Sequence, residues 1–305
     1  YSSGFIIMWG SNVPQTRTPD AHFMTEARYK GTQTVTITPD YSEASKFGDI
    51  WLNPKQGTDA ALGMAMGHVI LKEFHVDRTV PYFDDYCRTK TDMPFLVLLE
   101  KQGDRYVPGR MLRASDFADG LGEANNPDWK TVAYDETTGN IIVPNGSIGF
   151  RWGEQGKWNI VPRDSKTGKE AKLQLTLKGG HDDILPVAFP YFANETHEHG
   201  YFQPNRQESV LLRNVPVKKL KLKSGEAAVA CVFDLMCANY GIDRGFGGGN
   251  VAKGYGDNVP YTPAWQQSIT GVDPEKVIAV ARAFADNAEK TNGKSMIIIG
   301  AAMNH

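Results

Sequence analysis

Four short stretches of this chain hold residue types suited to gripping a phosphorylated ligand. Gly10, Ser11 and Asn12 follow the apolar run Phe5-Ile6-Ile7-Met8 and precede Pro14. They combine backbone N–H groups with small polar side chains, and such a loop can cradle phosphate. The same residues suit an ordinary strand-to-helix turn, so the stretch gains meaning only from what accompanies it. Asp40, in the loop Thr38 to Tyr41, is a carboxylate placed to accept hydrogen bonds from a ribose or a base. Gly57, Thr58 and Asp59 close the loop Lys55 to Asp59 at the start of a helix. At the far end, Ser295 to Ile299 (SMIII) reads as a buried strand that runs into Gly300-Ala301-Ala302-Met303-Asn304-His305, repeating the opening order of apolar run, Gly and Asn. His305 beside Asn304 suits the lining of a site as readily as a structural role.

The elements that must hold these loops follow from periodicity. FIIM has no polar alternation and suits a strand covered on both faces. Pro19 to Tyr29 reads as a helix with Thr18 as cap, Pro19 at its first position and Gly31 at its close. Gln33 to Thr38 is a second strand, Ser42 to Phe47 a short helix, and Asp49 to Leu52 a third strand. Thr58 then caps a long helix through about Phe74. This β-α-β-α-β-α order predicts a doubly wound, largely parallel sheet with right-handed crossovers. In such sheets ligands bind outside the carboxyl ends of the strands, so Trp9 to Thr18, Thr38 to Tyr41 and Lys55 to Asp59 should share one site. The fingerprint GxGxxG is absent after the first strand, which argues against an ordinary nicotinamide enzyme.

Further along, residues 79–124 read as a helix, Val80 to Asp92, and two strands, Phe95 to Leu99 and Tyr106 to Leu112, paired about Gln102-Gly103-Asp104. Residues 125–235 read as a β-rich insertion, because short apolar runs alternate there with Gly, Asn and Asp turns. Within it, Pro216 to Lys223 (PVKKLKLK) alternates Lys with Leu and suits the exposed face of an edge strand. His197 and His199, with Glu195 and Glu198, suit a polar surface loop better than a metal shell. Gly247 to Asn250 (GGGN) suits a flexible loop. Residues 236–305 return to α/β: Thr262 caps one helix, and Asp273 starts another with Val277, Val280, Ala281 and Phe284 on its apolar face and Gly293 at its end.

Composition narrows the partners. With 33 basic and 35 acidic residues among 305, the net charge of −2 gives no electrostatic case for nucleic acid or an anionic membrane surface. Cys87, Cys231 and Cys237 are widely spaced with no CxxC, so neither a disulfide framework nor a zinc or iron–sulfur site is written here. No apolar run reaches the roughly 18 residues of a membrane span. The abrupt strands at both ends suggest an internal fragment of a longer protein.

WGSNVPQTRTPDAHF, ITPDYSEASKFGDIWLNPKQGTDAAL, NGSIGFRWGEQGKWN, YTPAWQQSITGV and MIIIGAAMNH together resemble the respiratory nitrate-reducing branch of the molybdopterin oxidoreductase family, over essentially the whole chain. That family carries a WGxNP-type loop, an aspartate after its second strand and a PGTD-type loop, matched here by Trp9 to Pro14, Asp40 and Gln56 to Asp59. The resemblance implies a molybdenum bis(molybdopterin guanine dinucleotide) cofactor. Gly10, Ser11 and Asn12 would approach its phosphates, with Trp9, Pro14 and Thr16 also binding the cofactor, Asp40 its guanosine, and Gly57, Thr58 and Asp59 its guanine or ribose. Gly300 and Asn304 would lie near pterin and metal, with His305 as the catalytic candidate touching substrate or pterin. It also implies a fragment of a larger multidomain enzyme, with segments 1–78 and 236–305 binding cofactor. The molybdenum carboxylate ligand and the ligands of a [4Fe-4S] cluster would precede the opening strand, so no metal ligand is expected here and the isolated piece should be inactive. The implied reaction reduces nitrate to nitrite. The implied partners are an iron–sulfur β subunit and a membrane haem b γ subunit at the cytoplasmic face of the cell membrane. Alternatives are a nitrite-oxidising or formate-dehydrogenase type of the same family, or a nucleotide-binding module with no redox role.

Overall fold

The computed structural model describes residues 2–144, 161–190 and 210–300. In chain order its strands and α-helices are β1 (Phe5–Trp9), α1 (Val13–Thr16), α2 (Thr18–Tyr29), β2 (Gln33–Ile37), β3 (Ile50–Leu52), α3 (Asp59–Leu71), α4 (Pro81–Lys90), β4 (Leu96–Gln102), β5 (Arg105–Met111), β6 (Ala133–Tyr134), β7 (Ile141–Ile142), β8 (Asp183–Pro190), β9 (Val210–Leu222), β10 (Gly225–Cys231), α5 (Val232–Asn239), α6 (Pro263–Thr270), α7 (Pro274–Thr291) and β11 (Ser295–Ile299). A 3-10 turn fills Glu43–Phe47, and one π-helical turn, Lys72–Val76, prolongs α3. The chain divides into two compact units. The described residues of one are 2–82 and 252–300, and those of the other are 83–144, 161–190 and 210–251.

The first unit is built on a parallel sheet in the order β11-β1-β2-β3. All five residues of β1 are buried, because both faces are covered. Phe5, Ile7 and Trp9 pack with Val35, Ile37 and Leu52 and with Leu62, Met66, Val69, Val277, Val280 and Ala281. Ile6 and Met8 pack on the other face with Val13, Ala21 and Met24. The uninterrupted apolar run of FIIM is what such two-sided cover requires. Trp9 pairs with Ile37 on one side and Ile299 on the other, and Ile37 with Leu52, so the four strands end at one level. SMIII departs from its expected burial. Among the described residues β11 has β1 as its one strand neighbour, and Met296, Ile297 and Ile299 are each 40% exposed.

Helix starts divide in the same unit. Thr262 accepts from the Trp265 N–H at 3.1 Å and Asp273 from the Glu275 N–H at 2.9 Å, each a cap of about 1 kcal/mol. Thr18 does not cap α2: α1 delivers the chain already coiled, Arg17 takes the cap position, and Thr18 Oγ1 turns back to donate to the Pro14 carbonyl at 3.3 Å. Thr58 does precede α3, yet its hydroxyl donates to the Lys55 carbonyl at 2.6 Å and leaves the helix end uncapped by its side chain.

The second unit is a closed barrel in the order β10-β4-β5-β8-β9, in which β5 and β8 run parallel and the other neighbours antiparallel. The hairpin β4–β5 turns at Gly103, as its sequence predicts, and is part of this barrel. Strand β9 changes partner along its length. Its first half, Val210 to Val217, pairs with β8 and its second, Lys218 to Leu222, with β10, so each lysine of PVKKLKLK in the strand has one strand neighbour. Lys219 and Lys221 are exposed and Leu222 buried, as the alternation requires. The segment Phe150 to Asn159 (FRWGEQGKWN) and the histidines His197 and His199 lie outside the described residues.

Candidate functional site at the carboxyl edge of the sheet

Strand β1 ends in Trp9, whose indole Nε1 donates to Asp59 Oδ1 at 2.7 Å. One bond thus ties the first loop to the third. The closing loop joins them: the Gly300 N–H donates to the Trp9 carbonyl at 2.9 Å, and a Cβ on Gly300 would lie 1.8 Å from the Gly10 carbonyl oxygen. Only glycine permits that approach. Gly10 and Gly57 adopt φ of 59° and 74°, and a Cβ on either would meet nothing within 4 Å, so open space fronts both.

The donors differ from expectation in one respect. The Gly10 N–H is spent on the Ile37 carbonyl at 2.9 Å, because the β1–β2 ladder continues one residue past the strand. The N–H groups of Ser11 and Asn12 have no partner among the described residues, and Ser11 is buried. Asn12 gives its Nδ2 to Gln15 Oε1 at 3.0 Å, while its Oδ1 is buried with no hydrogen-bond partner among the described residues. A buried, unmet acceptor is costly and marks a place where a donor belongs. Pro14 and Thr16 lie in α1, where Thr16 Oγ1 donates to the Asn12 carbonyl at 2.8 Å. Asp40 stands exposed after β2, with Thr38 Oγ1 donating to its Oδ1 at 3.1 Å. Asn304 and His305 lie outside the described residues.

Two cations were not singled out by sequence. Arg17, between α1 and α2, and Lys55, after β3, are exposed on this edge and form no ion pair among the described residues. Lys55 is fixed through its backbone N–H, which donates to the Thr270 carbonyl at 2.9 Å. The signal was present in NPKQGTD, a lysine set between a strand end and a helix start. At the opposite edge of the sheet a groove of ≈ 770 Å³ is lined by Arg28, Glu43, Lys46 and Asp49. Its charges are spent on one another: Arg28 donates to Asp49 at 2.8 Å and Lys46 to Glu43 at 2.9 Å. Among the described residues no three His, Cys, Asp or Glu side chains converge as a metal shell.

The sequence pattern of the molybdopterin oxidoreductases matches residues 1–305. The chain belongs to the molybdopterin oxidoreductase family. It is 58% identical over its whole length to the respiratory nitrate reductase 1 alpha chain of Escherichia coli, of which it covers 24%. It is 47% identical, again over its whole length, to the nitrate reductase alpha chain of Bacillus subtilis, of which it also covers 24%. Against the perchlorate reductase subunit alpha of Dechloromonas aromatica the identity is 30% over the whole chain and 25% of that protein. The chain therefore spans about a quarter of the length of these relatives.

A molybdopterin carries a phosphate and a ring system rich in N–H groups, and the carboxyl edge fits such a group. The unmet Asn12 Oδ1 suits a ring donor; the Ser11 and Asn12 N–H groups, with Arg17 and Lys55, suit phosphate; and the open fronts of Gly10 and Gly57 leave room for both.

Proposed function

We propose that this chain is the part of a respiratory nitrate reductase catalytic subunit that cradles molybdenum bis(molybdopterin guanine dinucleotide). The observation that carries this is the junction of three loops at one sheet edge, where Trp9 donates to Asp59 and receives the Gly300 N–H. When bound, the cofactor supplies the two-electron oxygen-atom chemistry that turns nitrate into nitrite. The chain's own residues bind and orient. Ser11 and Asn12 donate backbone N–H groups to phosphate, and Asn12 Oδ1 accepts from the pterin. Asp40 and the second oxygen of Asp59 accept from guanosine, with Gly57 and Thr58 shaping the turn between them. Gly10, Gly300, Asn304 and His305 form the wall nearest the metal, His305 offering a donor to the anionic substrate.

In the same proposal the parallel sheet, with α2 on one face and α3 and α7 on the other, belongs to a doubly wound domain of the complete subunit, and segments 1–78 and 236–305 are its cofactor-binding portions. The molybdenum ligand and a [4Fe-4S] cluster come from other parts of that subunit. Electrons arrive from quinol through an iron–sulfur β subunit and a membrane haem b γ subunit. The complete subunit is attached peripherally at the cytoplasmic face of the cell membrane through those partners; among the described residues no helix is long and apolar enough to cross a membrane.

Molybdenum, pterin and guanine content of the full-length subunit, with nitrate, chlorate, perchlorate and formate offered as substrates, tests the proposal. Nitrate turnover with about two guanine nucleotides per molybdenum is the expected result. A folded, active subunit without molybdenum overturns it, and formate oxidation alone overturns the substrate. The perchlorate reductase relative favours one second reading, in which the same cradle serves a different oxyanion.

A further inference from the structure

We propose that Tyr41, braced by Trp51, is the stacking shelf for the purine base at the nucleotide end of the bound cofactor. The inference rests on the cofactor reading above and adds two residues to which that reading gives no role. Tyr41 follows Asp40 directly and is 63% exposed, an unusual state for a large ring at the end of a buried strand. Its ring meets Trp51 edge to face, with centroids 5.2 Å apart and planes at 85°. Trp51 is itself fixed, since its Nε1 donates to the Thr38 carbonyl at 3.0 Å. Thr38 Oγ1 in turn holds Asp40 Oδ1 at 3.1 Å, leaving Oδ2 as an acceptor. The four residues form one braced group, with most of the Tyr41 ring uncovered and a carboxylate beside it.

The position of this group matters as much as its chemistry. In nucleotide-binding parallel sheets the phosphate lies at the first loop, the acidic residue after the neighbouring strand takes the ribose, and the base extends beyond it. Here β3, which carries Trp51, is the strand beyond β2, and Tyr41 stands between the two. Among the described residues of this unit the other exposed rings, Phe23 and Tyr29, lie on α2 and follow no strand. An aromatic face with an adjacent carboxylate acceptor suits a purine that presents N–H donors, as guanine does.

The test replaces Tyr41 with Ala, Leu or Phe in the full-length subunit. The rate at which guanine nucleotide leaves the purified protein on mild warming is measured, with thermal unfolding followed in parallel. Loss of a stacked base weakens binding by roughly ten-fold or more. Tyr41→Ala and Tyr41→Leu are expected to release guanine nucleotide about ten times faster than the unsubstituted subunit, and Tyr41→Phe at the unsubstituted rate. Release at the unsubstituted rate from the Ala and Leu variants overturns the shelf. So does a fall in unfolding temperature with release unchanged, which would mark Tyr41 as covered by another part of the polypeptide. An unsubstituted subunit that holds pterin without guanine nucleotide removes the shelf while leaving the pterin cradle standing; one that holds neither removes both.

Discussion

Two glycine-bearing loops, one in each unit, look alike in sequence and differ in what they leave unspent. In the barrel unit, the loop Gly241 to Asn250 is held at several points. Arg213 donates to the Asn250 and Asn239 carbonyls at 2.8 and 2.5 Å, Asn214 to the Phe246 carbonyl at 3.0 Å, and Arg244 to Asp234 and Thr176 at 2.6 Å each. The Arg244 guanidinium also lies over the rings of Phe233 and Phe246. The fold therefore holds the loop, and none of its buried side-chain atoms lacks a hydrogen-bond partner among the described residues. At the carboxyl edge of the α/β unit a buried side-chain acceptor, Asn12 Oδ1, has no partner among the described residues. Glycine content does not separate a ligand loop from a structural one. A buried side-chain acceptor left without a partner does.

The largest test of that contrast lies in the barrel. Asp234 is fully buried, and burial pushes its carboxyl above the usual range against the pull of Arg244, the Leu177 N–H and Thr176. Arg244→Ala strands that acid and is expected to cost about 3–5 kcal/mol of stability, read as a lowered denaturant midpoint. A change under 1 kcal/mol would show that the loop is not held as described.

Gly300→Ala comes next. Its Cβ would sit 1.8 Å from the Gly10 oxygen, so the two loops must part. Cofactor content of the full-length subunit should fall several-fold while the barrel's stability is unchanged; normal molybdenum and pterin content would remove this contact from the cradle.

The smallest effect concerns a group of the α/β unit whose bonds are fully made. Glu73 accepts from Arg282 at 2.6–3.0 Å and from the Tyr255 hydroxyl at 2.7 Å. The Arg282 hydrogen bonds, outweighing desolvation, hold Glu73 below its ordinary 4.5. Its folded pKa being depressed, the stabilisation is present above the unfolded value and is lost as pH falls through the folded one. Because Arg282 is 48% exposed, solvent screens the pair to about 1 kcal/mol. Glu73→Gln should remove that much at pH 7 and almost nothing near pH 3, by urea unfolding at both, with cofactor content untouched. A loss of cofactor would place Glu73 in the site.

What the sequence made legible follows from local physics. FIIM announced a two-sided strand, Thr262 and Asp273 announced helix starts, and the alternation of strands and helices implied that several loops share one edge. Helix α1 was hidden because four residues, VPQT, carry no periodicity. The exposure of β11 depends on how many neighbours a strand has, which its own residues do not state. The barrel partnership of the β4–β5 hairpin rests on Tyr106 meeting Val187, a pairing no short window contains. At the site, residue types were readable, while the Trp9 to Asp59 bond and the prior use of the Gly10 N–H were settled by tertiary register.

The pairing of Phe5 with Ser295 has a consequence for the order of events during synthesis. The barrel strands lie between Leu96 and Cys231, so that unit can close while its flanking segments are still incomplete. The parallel sheet cannot: β1 waits for a strand nearly three hundred residues later. Contacts so distant along the chain form slowly, and the earlier strand must be kept from aggregating meanwhile. Since Gly300 belongs to the same edge, the cradle is finished only after β11 docks. A ligand held by that edge meets a complete site only once β11 has been made and has docked.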